Sequence, residues 1–82
     1  MKVFDTTLAD LYTCSVSTVQ TLKGNHKRVL DHLATWYIGK DGKKRKRKQY
    51  NGKQLAYMVK NVFKDTPEGY NFKNGTFVPV ND

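Results

Sequence analysis

The sequence predicts a small α+β domain of three or four helices and one or two β-hairpins. Apolar residues recur at helical spacing in the first third of the chain and again from Leu55 to Phe63. Between and after these windows the chain turns β-branched and aromatic. The hairpin dipeptides Asp41-Gly42 and Asn74-Gly75 follow those changes. Eighty-two residues at 38% hydrophobic content make one domain with a modest core.

Met1 to Phe4 reads as a short strand or an extended arm, offering Val3 and Phe4 for apolar contact. Leu8, Leu11 and Tyr12 then share one face of a helix near Thr6–Thr13, capped by Asp5 or Thr6. A second helix runs near Val16–Lys23 with Ser15 as N-cap, its rotation set by Val19 and Leu22 facing inward. Gly24 is expected just past its end in the left-handed region. Asn25 then caps a third helix, His26 to about Thr35, whose apolar positions are Val29, Leu30 and Leu33. An uninterrupted helix through Gly24 is the alternative, since a mid-helix glycine costs only about 1 kcal/mol.

Thr35-Trp36-Tyr37-Ile38 changes the period to that of a strand. A two-residue turn at Asp41-Gly42 sets Ile38 opposite Arg45 and Trp36 opposite Arg47, with the basic stems laid over the apolar groups. A flexible loop carrying the same charges is the alternative, because adjacent like charges repel. Asn51-Gly52 reads as a turn. Leu55, Met58, Val59, Val62 and Phe63 fall at i, i+3, i+4, i+7 and i+8, a core face. Thr66-Pro67-Glu68-Gly69 ends that helix. In the tail a two-residue turn at Asn74-Gly75 opposes Phe72 to Phe77, and Pro79 confines its strand to a sheet edge. Tyr70, Phe72 and Phe77 are expected to lid the core.

The stretch Asp5–Lys23, with Leu8-Ala9, Cys14-Ser15, Thr18-Val19 and Leu22 in that order, resembles the helix-turn-helix signature of bacterial and phage DNA-binding proteins. Thr13 stands where that family prefers glycine, so the resemblance leaves the turn geometry open. This β-branched residue is expected either to distort the turn or to hold it in a conformation without positive φ. Arg47-Lys48-Gln49-Tyr50 ahead of a helix with Leu55 on its inner face looks like the wing-to-helix passage of MerR-type and phage excisionase-type winged helices. The passage is longer here, by what looks like an added helix around His26–Thr35. The resemblance implies a single winged helix-turn-helix domain over 1–82: helix-turn-helix at 5–23, basic wing at 35–50, core helix at 53–64 and C-terminal hairpin at 69–80.

Charge points to the partner. The formal net charge is +8, and the segment Lys40–Lys53 alone carries eight basic residues against Asp41, a net +7. Such concentration is a polyanion footprint. A membrane-surface helix would interleave its basic residues with an apolar face, whereas Lys43–Lys48 contains no apolar residue. No apolar run approaches the roughly 20 residues that span a bilayer. The start Met-Lys-Val-Phe-Asp lacks a signal-peptide core, so a cytoplasmic protein of a bacterium or phage-infected host is expected. Cys14 is the only cysteine and can form neither an internal disulfide nor a zinc site alone.

No catalytic constellation is expected. Ser15 and Ser17 lack a base–orienter pair, and His26 and His32 do not share a helical face. Acids are few, and Gly39, Gly42 and Gly52 each have a turn explanation rather than a phosphate-cradling one. Neither cofactor nor metal is implied. The expected function is sequence-specific binding of double-stranded DNA, as a transcriptional regulator or a recombination accessory factor of a phage or mobile element. Val16, Ser17, Gln20 and Thr21 on the second helix are the candidate base contacts. Gln20 suits adenine bidentately, and Val16 suits a thymine methyl. Lys23, Lys43, Lys44, Arg45, Lys46, Arg47 and Lys48 are the candidate phosphate contacts, with Arg45 or Arg47 able to enter the minor groove. Homodimerisation or a protein partner stays open. The competing readings are RNA binding, with Trp36, Tyr37 and Tyr50 as stacking groups, and inhibition of a host protein through the basic face.

Overall fold

A computed structural model of the chain describes residues 1–80; Asn81 and Asp82 lie outside them. The order is α1 (Asp5–Leu11), α2 (Val16–Gly24), α3 (Lys27–Leu33), β1 (Trp36–Ile38), β2 (Lys44–Lys46), α4 (Gly52–Tyr57) continued by a π-helical turn (Met58–Val62), β3 (Tyr70–Lys73) and β4 (Thr76–Pro79). The strands form two separate antiparallel hairpins, β1–β2 and β3–β4. The architecture is a small α+β domain of four helices and two hairpins. The core is built from Val3, Leu8, Ala9, Val19, Leu30, Leu55, Met58, Val62 and Phe77.

Val3 anchors an extended arm: its carbonyl accepts from the Tyr50 N–H at 2.8 Å while its side chain is buried. The cap of α1 differs from expectation. Phe4 is the N-cap, and its N–H donates to the Thr7 hydroxyl at 3.1 Å, so Asp5 is free to turn its carboxylate toward α2. Ser15 caps α2 as anticipated, its hydroxyl accepting from Thr18 N–H at 3.1 Å, an interaction worth about 1 kcal/mol.

Thr13 corrects the expected turn. Its φ is +51°, in the left-handed region that glycine fills most readily. The Cys14 N–H donates to the Ala9 carbonyl at 2.9 Å and so closes the end of α1, which requires the chain to reverse at Thr13. Gly24, by contrast, remains in the last turn of α2, and Asn25 follows with φ −77°. His26, not Asn25, precedes α3, so only two residues separate α2 from α3.

Asn51-Gly52 is a helix start rather than a turn. The Asn51 side chain accepts from Gln54 N–H at 2.8 Å, and the Gln54 side chain accepts from Asn51 N–H at 3.0 Å. Gly52 packs against the β3–β4 turn, where an added Cβ would lie 3.0 Å from the Gly75 Cα. Leu55, Met58 and Val62 are buried as the spacing implies, with Val59 and Phe63 half-buried beside them. The widened turn after Tyr57 is seen in the Phe63 N–H, which donates to the Met58 carbonyl at 2.8 Å.

The β3–β4 hairpin has the anticipated register, Phe72 opposite Phe77 and Lys73 opposite Thr76. Asn74 and Gly75 both have positive φ, the requirement of a type I′ turn. Phe77 enters the core, and Phe72 meets it edge-on at 5.4 Å.

Candidate nucleic-acid interface

The basic segment folds as a hairpin whose register departs by one residue from expectation. Trp36 faces Lys46, Tyr37 faces Arg45 and Ile38 faces Lys44. The cause is the loop. The Gly42 N–H donates to the Gly39 carbonyl at 2.9 Å, the Gly39 N–H to the Lys43 carbonyl at 2.8 Å, and Gly42 alone has positive φ. This is a three-residue loop with a glycine bulge, not the two-residue turn. Asp41 holds it: its carboxylate accepts from Lys43 N–H at 3.1 Å and pairs with Arg45 at 2.5 Å. The one-residue slip exchanges the faces. Trp36, Ile38, Lys44 and Lys46 now share one side, and Tyr37, Arg45 and Arg47 the other. All six strand residues are exposed.

Two contacts tie this hairpin to α3. The Trp36 indole N–H donates to the Asp31 carbonyl at 3.0 Å, and the Lys46 ammonium meets the Asp31 carboxylate at 2.5 Å. Lys44 lies 5.1 Å from the centre of the Trp36 ring, and the Arg47 guanidinium 5.7 Å from that of Tyr37. Among the candidate phosphate contacts, Arg45 and Lys46 thus have acidic partners, Lys44 and Arg47 lie over aromatic faces, and Lys43 and Lys48 are exposed.

The second helix is rotated from the expected setting. Val19 is buried, but Leu22 is 39% exposed. The inward positions beside Val19 are held by half-buried Val16 and by Lys23. Lys23 fits there because its ammonium pairs with Asp5 at 2.8 Å and donates to the Tyr50 hydroxyl, which in turn donates to Asp5 at 2.5 Å. Burial alone would push the Asp5 carboxyl up. The hydrogen bonds from Lys23 and Tyr50, the Lys23 charge and the Gln20 amide outweigh it and hold Asp5 below the ordinary carboxylate range. Burial, followed by the bond to Asp5 and the Asp5 charge, raises the Tyr50 phenol.

Three expected assignments therefore change. Lys23 is a structural cation with its charge already engaged. Val16 packs against the core rather than facing outward. Tyr50 is committed to Asp5 and Lys23, so it is not an open stacking group. Ser17, Gln20 and Thr21 remain exposed. Thr18 belongs with them: it is exposed on the same side, and its position one turn from Thr21 was the signal that could have revealed it. The Thr21 hydroxyl donates to the Ser17 carbonyl at 2.9 Å, leaving its lone pairs outward.

An open groove of about 640 Å³ brings Gln20 together with the hairpin exit, while Ser17, Thr18 and Thr21 lie outside its lining. Val16, Gln20, Lys23 and Lys27 line one wall, and Lys46, Arg47 and Lys48 the other. Among the described residues no three His, Cys, Asp or Glu side chains gather as a metal site, and no helix is long and apolar enough to cross a membrane. No family model matches the chain, and comparison with curated proteins and with solved structures gives no significant match.

Proposed function

We propose that this chain binds double-stranded DNA as a small winged helix-turn-helix factor, serving transcriptional regulation or recombination in a phage or mobile element. The observation that carries the reading is the shared groove: the exposed edge of α2 at Gln20 and the basic exit of the β1–β2 hairpin at Lys46–Lys48 border one open surface. A polyanion laid across that surface meets cations from the hairpin and hydrogen-bonding side chains from the helix together. Ser17, Gln20 and Thr21 are the base-reading groups of this proposal, with Thr18 beside them. Lys43, Lys44, Arg47 and Lys48 are its phosphate contacts. Lys23 and Val16, which line the same groove, position the helix, with the Lys23 charge already engaged by Asp5 and Tyr50. Binding, not catalysis, is the activity.

Selection from a random duplex library tests this. Enrichment of a defined site, bound more tightly than random duplex and than single-stranded RNA, is the expected result. Equal binding of all duplexes would reduce the activity to non-specific neutralisation. Preference for the RNA would replace the DNA reading with the RNA one.

A further inference from the structure

The hairpin leaves apolar surface in solvent that a duplex phosphate backbone does not explain. Tyr37 is 45% exposed, and Phe4, 38% exposed, borders the same small cleft. That cleft, about 330 Å³, is completed by Arg47, Lys48 and Gln49. It is at the lower end of the size of ligand pockets. It holds two aromatic faces, two cations, one amide and no acid. Large aromatic groups left in water beside cations mark an interaction surface.

We propose that the cleft between Phe4 and Tyr37 takes an unpaired nucleobase, so that the DNA this chain holds most tightly carries single-stranded nucleotides beside its duplex. The proposal deepens the DNA-binding reading and rests on it. Each part has a counterpart in a nucleotide. A base offers a flat π-face to Tyr37 or Phe4. Its phosphate suits Lys48, and the Arg47 guanidinium, already lying over Tyr37, can stack on a base and pair with a phosphate at once. Half-buried Gln49 supplies both a donor and an acceptor for a base edge. A paired base presents no free face, so the duplex alone leaves this cleft unfilled. An anionic membrane surface would meet the aromatic and cationic groups but would strand the Gln49 amide among acyl chains.

The test compares a blunt duplex, the same duplex with a short single-stranded overhang, the free strand and anionic phospholipid vesicles. A 2-aminopurine in the overhang reports stacking by loss of its fluorescence. The overhang duplex should bind roughly 5- to 150-fold more tightly than the blunt one, the range that one base–aromatic stack supplies. Tyr37→Leu, which keeps apolar bulk without a π-face, should lose that advantage and the quenching while keeping blunt-duplex affinity. Tyr37→Phe should retain all three. Equal affinity for blunt and overhang duplexes overturns the proposal and leaves the duplex reading intact, as does an advantage that survives in Tyr37→Leu. Tyr37-dependent vesicle binding without overhang preference also overturns it, in favour of a lipid surface. Binding of the free strand with quenching, but of no blunt duplex, supports the cleft and defeats the duplex reading. Binding to none of the nucleic acids defeats both.

Discussion

The Lys23 ammonium lies 2.8 Å from the Asp5 carboxylate, joining the end of α2 to the start of α1, and the Tyr50 hydroxyl hydrogen-bonds to both. Asp5, Lys23 and Tyr50, from the start of α1, the end of α2 and the segment before α4, meet at one small polar site beside the core. Lys23→Met should destabilise the fold by about 1–2 kcal/mol, because it strands a partly buried carboxylate. It should leave the salt dependence of DNA binding unchanged, since that charge is already engaged. Asp5→Asn/Lys23→Met should cost less than the sum of the single changes. A neutral Lys23→Met in urea titrations would show that the pair contributes nothing.

Acid stability follows from the same carboxylate. The Asp5 pKa is held below its ordinary value, so its stabilising contribution is complete above the unfolded value of about 4 and lost as pH falls through the lowered folded value. Wild type should therefore lose stability below about pH 4, and Asp5→Asn should flatten that limb. Urea midpoints measured across the acid range check this; parallel curves for the two proteins would exclude Asp5 as a source.

The alkaline limb has the opposite sign. Burial, with the nearby Asp65 charge, pushes the Tyr12 phenol up to about 12. The Tyr12 ring stacks on Phe63 at 3.9 Å, and its hydroxyl donates to the Asp65 carbonyl at 2.7 Å. Its contribution is complete below the unfolded value of about 10 and lost as pH rises through about 12. Phenolate absorbance should show a late-titrating group that disappears in Tyr12→Phe. A titration that the substitution leaves unchanged would mean that Tyr12 is not the late group.

Thr13 gives the sharpest stability test. A β-branched residue at φ +51° carries a penalty of about 1–2 kcal/mol, which glycine would relieve at the cost of a freer unfolded chain. Thr13→Gly should therefore stabilise by about 1 kcal/mol, raising Tm by about 4–8 °C. A loss of stability would mean that the threonine methyl contributes packing worth more than the strain.

What the sequence made legible depended on whether local chemistry had one solution. Asn74-Gly75 allowed one, because both residues take positive φ, so the tail register was readable. Asp41-Gly42 looked the same, but the Asp41 carboxylate bonds the Lys43 N–H and Arg45, and only Gly42 turns left-handed. That competing side-chain bond shifted the register. The rotation of α2 is not legible in the sequence, because Leu22 has the apolar character of an inward residue yet lies 39% exposed. Lys23 fills the inward place, which becomes sensible only once Asp5 and Tyr50 are near it. Gln54 was equally hidden: it is 2% exposed, and its amide donates to the Leu30 carbonyl at 3.0 Å, a partner no periodicity reveals. The core face of α4 was legible because apolar spacing survives the π turn.

The hairpin cations should govern the salt response. Replacing Lys43, Lys44, Arg47 and Lys48 with Gln keeps the Asp31–Lys46 and Asp41–Arg45 pairs that hold the hairpin. Each phosphate contact contributes about −0.9 to the log–log slope, so the fourfold variant should be shallower by roughly 3–4. Binding should weaken on all duplexes alike. An unchanged slope would place the polyanion elsewhere.

The proposed base reading by α2 is tested at Gln20 and Thr21, which the observed rotation separates. Gln20 borders the groove, where its amide helps hold the Asp5 carboxyl down, so it is not merely a solvated residue. Thr21 lies farther round, with its hydroxyl donating to Ser17 and able to accept from a base amino group. On the selected site Gln20→Ala should cost about 1–3 kcal/mol and relax preference at one base pair, the loss of a bidentate contact. Thr21→Val, which keeps shape and removes one acceptor, should cost about 1 kcal/mol. Neither should weaken binding to random duplex. Gln20→Ala alone should also shrink the stability lost through Asp5 as pH falls, because Asp5 loses one of the groups favouring its charged form and its folded value moves toward the unfolded one. Titrations of both variants against the selected duplex, its single-base changes and a random duplex separate the outcomes. Full affinity in both variants would mean that α2 does not read bases. Equal losses on every duplex would assign these side chains to the backbone and leave specificity to the hairpin or to DNA shape. If Gln20→Ala flattens the acid limb but leaves the affinity unchanged, Gln20 is a positioning group for the Asp5–Lys23–Tyr50 site, and base reading rests on the Ser17–Thr21 face.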